Sequence, residues 1–273
     1  MRWNYRGTYL ALIAFVAVEA GAGAPACAQV RFDARYTLSM AGLSIGKLTW
    51  QTQLGTSDYS TMASGQVSGF LSLLMTGEGK VAVKGQIRDG RPRPASFFAA
   101  VERVDEKIGI RMTFDDARVR ELKVDEPPPE SDRVPIADWH KVGVMDPLSA
   151  FLIPGPVDPM ARETCERSLA IFDGRRRYEL TLSFKRTDMI KGDNDKRSMA
   201  IVCTIRFTPM SGHRASSPLV KFLSEGRDIE VWLVPIAGTR ILAPVRLSVA
   251  SLVGNMVLQA DEFETTALAL SGK

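Results

Sequence analysis

The chain has 273 residues, 45% of them hydrophobic and 24% charged, with 35 basic against 31 acidic side chains and a net charge of +4. That balance excludes an intrinsically disordered chain, which is poor in apolar residues and strongly charged. The basic residues do not gather into the clustered face that nucleic acid requires.

In chain order the first feature is a leader. Arg2 and Arg6 open the chain, residues 9–18 are an unbroken apolar run, and small residues follow as far as Ala26-Cys27-Ala28. This is the order of a secretory signal peptide cut after Ala28. The apolar run is too short to span a bilayer, which takes about 20 residues. Residues 1–28 are therefore read as a removed signal peptide, and 29–273 as one β-rich domain in the periplasm. Cys27 offers lipidation as an alternative, but that pattern wants Leu three residues earlier, where Ala24 stands, and Pro25 fits it poorly.

Period-two alternation dominates residues 29–273. Tyr36, Leu38 and Met40 alternate with polar neighbours, as do Ile108, Ile110, Met112 and Phe114. The clearest run is Tyr178, Leu180, Leu182 and Phe184; Met199, Ile201, Cys203, Ile205 and Phe207 repeat it, and Ile241, Ala243, Val245, Leu247 and Val249 close the series. One wet face per strand marks antiparallel sheets. Turn signals such as Asp89-Gly90, Asp173-Gly174, Gly192-Asp193-Asn194 and Ala237-Gly238 separate the runs. About a dozen strands imply a large curved antiparallel sheet or partial β-barrel, because open sheets of that size curl. Pro127-Pro128-Pro129 reads as an extended crossing.

Few helices are expected, all short. Asp146-Pro147, Asp158-Pro159 and Ser217-Pro218 each place a capping side chain before a proline. They predict helices over residues 148–152, 160–164 and 219–223. Leu148, Phe151 and Leu152 share a helical face and should pack on the sheet. Arg91 with Arg93, Arg118 with Arg120, and Arg175-Arg176-Arg177 read as solvated strand starts or turns, where charge discourages edge pairing.

An even pair of cysteines, Cys165 and Cys203, predicts one disulfide in an oxidising compartment, the alternative being two buried thiols. Catalytic patterns fail. His140 and His213 sit in no local signature, and no Gly-x-Ser-x-Gly elbow exists. No soft ligands stand at zinc spacing; Asp188, Asp193, Asn194 and Asp195 lack the terminal Glu of a calcium loop. Gly77-Glu78-Gly79-Lys80-Val81-Ala82 imitates a dinucleotide fingerprint, but Val81, Val83 and Gly85 continue with strand period where a helix must open. We expect no catalytic residue, metal or cofactor.

In order, Ala41-Gly42-Leu43-Ser44-Ile45-Gly46, residues 90–97 with Pro92 and Pro94, Asp146-Pro147-Leu148-Ser149-Ala150, Phe172-Asp173-Gly174-Arg175 and Cys203 followed by Ser211-Gly212 form a pattern. It resembles a family of exported bacterial proteins known only as a domain of unknown function. The resemblance implies an envelope protein with a curved sheet shaped like the lipoprotein carriers, and brings no catalytic residue.

The segment singled out for function is Phe70, Leu71, Leu73, Leu74 and Met75, an apolar run bracketed by Gly69 and Gly77. It folds under as core, or forms a lid over an apolar cavity or a contact patch. The expected function is non-enzymatic binding of an apolar ligand, an acyl chain or lipid, in the concave sheet. The alternative is an interaction module docking on an envelope protein assembly.

Overall fold

The computed structural model describes residues 29–68, 77–103, 107–125, 132–191, 197–226, 228–251 and 254–268. Phe70, Leu71, Leu73, Leu74 and Met75, the signal peptide with Cys27, and Asp193, Asn194 and Pro127 to Pro129 lie outside the described residues. The first strands form an antiparallel meander: β1 (Gln29–Met40), β2 (Leu43–Leu54), β3 (Asp58–Val67), β4 (Gly77–Arg88), β5 (Arg91–Arg103), β6 (Lys107–Asp115) and β7 (Arg118–Val124). After a short β8 (Ile153–Pro154), a second meander runs through β9 (Arg167–Phe172), β10 (Arg177–Lys191), β11 (Arg197–Ser211), β12 (Ile229–Pro235), β13 (Ile241–Val249) and β14 (Met256–Leu268). Among the described residues one α-helix, α1 (Pro218–Ser224), opens behind Ser217, whose side chain caps Val220 N–H. Because β14 pairs with β1, the two meanders make one antiparallel sheet with β7 and β9 at its ends, and β8 lies beside β13.

The sheet does not close into a barrel, but its two ends are brought together by the connection between them. Val144 N–H donates to Ala117 O in the β6–β7 turn, Met145 N–H donates to Ala170 O of β9, and Phe172 N–H donates back to Met145 O, each at 2.9 Å. Residues 142–145 thus replace the missing ladder over a short stretch, and satisfy edge groups that would otherwise be bare.

Cross-strand neighbours share a face, so the register carries one apolar face across the sheet. Tyr36 lies opposite Ala260 and Leu38 opposite Leu258; Leu258 opposes Leu247, Leu247 opposes Val231, Val231 opposes Cys203, and Cys203 opposes Phe184. Phe32, Trp50, Tyr59, Val83, Phe97 and Met112 are buried on β1–β6 in the larger of two apolar clusters. Trp50 Nε1–H donates to Thr61 Oγ1 at 2.6 Å, and Thr52 Oγ1 completes the pair at 2.7 Å, so the buried polar atoms here are satisfied.

One expectation fails on the central strands. Alternation predicts a wet face, yet the opposite face of β11–β13 is also buried, with Ala200, Val202, Val234 and Ala243 inaccessible or nearly so. A bulge between Trp232 and Leu233 shifts β12 against β13, and the run at Ile241 packs on both sides. Trp232 completes that face between the Arg186 and Arg246 guanidiniums, 5.4 and 4.9 Å from its ring centre.

Two of the three expected helices shrink to 3-10 turns, at Ser149–Phe151 and Arg162–Thr164. The caps work as expected: Asp146 accepts from Leu148 and Ser149 N–H, and Asp158 from Met160 N–H, all at 2.9 Å. The first stops because residues 153–154 leave to pair with β13. The arginine run also departs from a solvated turn. Arg177 is buried, donating to Tyr178 O at 2.6 Å and pairing with Glu179 at 2.9 Å. Arg175 and Arg176 N–H instead bind Asp173 Oδ1 at 2.8 and 2.6 Å.

Gly212 must be glycine. Its φ is +74°, and a Cβ there would sit 2.0 Å from Arg175 O. Gly212→Ala should cost more than about 1 kcal/mol, read as a lowered urea midpoint; an unchanged midpoint would disprove the close approach.

Candidate functional site

The sheet interior is filled from within by the strap between β7 and β9. Leu148 and Leu152 are buried in the larger cluster, and Phe151 lies edge-on to Trp50 with ring centres 6.5 Å apart. The strap is fixed by a buried polar chain. Ser149 Oγ–H donates to Asp146 Oδ2, and Tyr59 O–H donates to Ser149 Oγ across 2.6 Å. Burial raises the Asp146 carboxyl to about 6 against the pull of its three donors, and burial pushes the Tyr59 phenol up as well. All three residues are shut from solvent. The chain anchors the strap and offers no reacting group to a substrate.

Between Phe151, Ile153 and the β9–β12 face of Leu180, Leu182 and Ile205 remains an apolar void of about 60 Å³. Small-molecule sites typically measure about 300–1,000 Å³, so among the described residues this part of the concave sheet is occupied by the protein's own side chains.

A larger apolar opening lies at one end of the sheet. The β12–β13 turn folds over the start of β1, with Gly238 at φ +78° and its Cβ direction 3.5 Å from Val30 Cγ2. Thr239 fixes this turn by donating to Ile236 O at 2.9 Å and accepting from Ile241 N–H at 3.1 Å. Val30, Leu54, Ile87, Ile241, Ala237 and Ala267 line the resulting cleft of about 590 Å³. Its walls come from the ends of β1, β2, β4 and β14 and from one turn, a set of positions that no local sequence pattern links. The one local sign of it is the turn signal Ala237-Gly238.

The other sequence candidates resolve individually. Cys165 and Cys203 form the expected disulfide. His140 is buried and its Nδ1 accepts from Ala137 N–H at 2.9 Å, a structural bond. His213 lies in a turn, its main-chain oxygen accepting from Val134 N–H. Asp188 accepts from Trp232 Nε1–H at 3.0 Å, which holds its carboxyl below the usual range. Among the described residues no cluster of three His, Cys, Asp or Glu is placed to hold a metal. Gly79 pairs with Val101 inside the sheet, so the fingerprint-like glycines carry no phosphate loop.

These features define a β-barrel-like domain, incompletely closed, with a filled interior and an apolar cleft at one end. Residues 35–261 match the family described as protein of unknown function (DUF3108), and the chain belongs to that family. Among curated proteins none matches. The fold is similar to a solved β-barrel-like protein of the domain of unknown function DUF1849 from Brucella abortus: TM-score 0.50, 12% identity, covering 87% of this chain and 98% of that one. That likeness is one of fold.

Proposed function

We propose that the protein is an exported, periplasmic component of the cell envelope that binds an apolar ligand, such as a lipid acyl chain, without catalysing its conversion. The observation that carries this reading is the 590 Å³ cleft lined by Val30, Leu54, Ile87 and Ile241, whose size and apolar walls suit a ligand site. Export is supported by the leader-like order of residues 1–28 and by a disulfide that needs an oxidising compartment to persist. Cleavage after Ala28 leaves Gln29 at the start of β1, beside Val30 at the cleft.

Docking through a sheet edge has less support. The terminal strand β7 exposes Arg118, Arg120, Glu121 and Lys123, charges that oppose strand addition.

Solvent extraction of gently purified protein should release lipid detectable by mass spectrometry, and a fluorescent fatty acid should bind the emptied protein. Ala237 and Ala267 are exposed in the cleft, so Ala237→Trp or Ala267→Trp fills it without disturbing the core. Each should weaken probe binding about tenfold, a change of roughly 1.4 kcal/mol, with an unaltered unfolding midpoint. An empty extract and a probe that ignores both variants would overturn the reading.

A further inference from the structure

A second cleft, of about 430 Å³, lies on the far side of the β4–β5 turn and is lined by three arginines, Arg91, Arg93 and Arg167. Arg91 and Arg93 flank the buried Pro92 at the start of β5 and are exposed; alternate positions put them on one side of the strand. Arg167 opens β9, at the end of the sheet. Only the strap, which packs against both strands, brings these side chains to one opening.

None of the three arginines is held in an ion pair among the described residues. Arg167 is half-buried; one terminal nitrogen donates to Glu163 O at 3.1 Å, while its Nε is sealed from solvent without an acceptor. Burial, with Arg91 nearby, lowers the Arg167 pKa. Among the described residues no carboxylate lies within ion-pair distance of Arg91, Arg93 or Arg167. Some arginines elsewhere in the chain are ion-paired, such as Arg120 with Asp115, Arg177 with Glu179 and Arg186 with Glu230. Glu163 and Glu166 also line the opening, but Glu166 is directed to Arg162 at 3.9 Å and Glu163 presents its main-chain oxygen to Arg167.

A further donor comes from the sheet edge. Ala170 O and Phe172 N–H face residue 145, so Ser168, two positions earlier, points its N–H the same way, and Ser168 lines the cleft. Beneath the charges the walls are apolar, with Val144, Leu152 and Leu169.

We propose that this cleft binds a phosphate group, held by Arg91, Arg93, Arg167 and the Ser168 N–H. Guanidinium forks match phosphate oxygens in pairs, and three of them with a main-chain donor surround a tetrahedral oxyanion from several sides. A bound phosphate offsets the positive charge gathered there and relieves the repulsion between Arg167 and Arg91. The site does not depend on the apolar cleft: a free phosphate satisfies it as well as a phospholipid head group does.

Calorimetry on the mature, disulfide-bonded chain tests this with inorganic phosphate, dioctanoyl phosphatidic acid and uncharged dioctanoylglycerol. Phosphatidic acid should bind at least about tenfold more tightly than dioctanoylglycerol, and Arg91→Gln/Arg93→Gln should remove that advantage. Arg167→Gln should do the same; because the double variant changes only exposed side chains, it keeps the test valid should Arg167→Gln fold poorly. Inorganic phosphate binding with similar affinity supports a free anion as the occupant, and binding of the lipid alone supports a head group. The proposal is overturned if neither phosphate compound outbinds dioctanoylglycerol, or if the double variant binds them as the native protein does. Dioctanoylglycerol binding that Ala237→Trp abolishes would then still uphold the apolar reading separately.

Discussion

Replacing Cys165 and Cys203 together by alanine, or reducing the bridge, should lower the unfolding free energy by about 4 kcal/mol. The bond spans a sequence separation of 38 residues, and its loss returns that closure entropy to the unfolded chain. Cys203 lies in β11 among Ile201, Ile205, Val231 and Leu233, while Cys165 follows the 3-10 turn Arg162–Thr164. The bridge therefore clamps the segment after β8 onto the smaller apolar cluster, with Met160 packed against it. Urea titrations with and without reductant measure the effect. A midpoint shift worth less than about 1 kcal/mol would show that native packing, and not the crosslink, holds this segment.

Stability should also fall between about pH 4 and pH 6 through Asp146. Its native carboxyl sits at about 6 against an ordinary 3.8, because burial disfavours the charged form. The folded state therefore holds this proton more tightly than the unfolded chain does. The resulting stabilisation is complete below pH 4, is lost as pH rises through 6, and amounts to roughly 3 kcal/mol at most. Asp146→Asn keeps an acceptor for the Leu148 and Ser149 N–H groups and cannot ionise. The difference in urea midpoint between native protein and variant should therefore change across that interval and level off above it. Other shifted carboxylates add their own pH dependence, including Asp173, raised by burial, and Asp132, lowered chiefly by its bond to Ser216; taking the difference cancels them. Parallel profiles for the two proteins would refute the assignment. Asp146→Ala also removes both caps, and should be about 2–3 kcal/mol less stable than Asp146→Asn at every pH.

Local pattern is a reliable guide where one strand decides the matter. The alternation from Tyr178 to Phe184 and from Ile201 to Phe207 becomes β10 and β11, and Ser217-Pro218 opens α1. The Cys165–Cys203 pairing needs only an even count and an inward-facing Cys203. Leu148 and Leu152 are recognisable as core, although the helix expected to carry them is a single turn. Alternation misleads at Ile241, because a second face is buried only through packing that no single strand encodes.

Both candidate clefts belong to the tertiary structure alone. Arg91 and Arg93 read locally as solvated edge charges, and nothing within the chain's local order ties them to Arg167. Val30, Ile87 and Ile241 likewise meet only after β14 pairs with β1 and the β12–β13 turn folds back. Side-chain period, turn chemistry and cysteine count are properties of neighbouring residues, so the amino-acid order by itself determined that this chain is an antiparallel β protein with one disulfide. Which charges lie together, and which hollow is filled or open, depends on contacts between residues distant in the chain, and those the folded sheet decided.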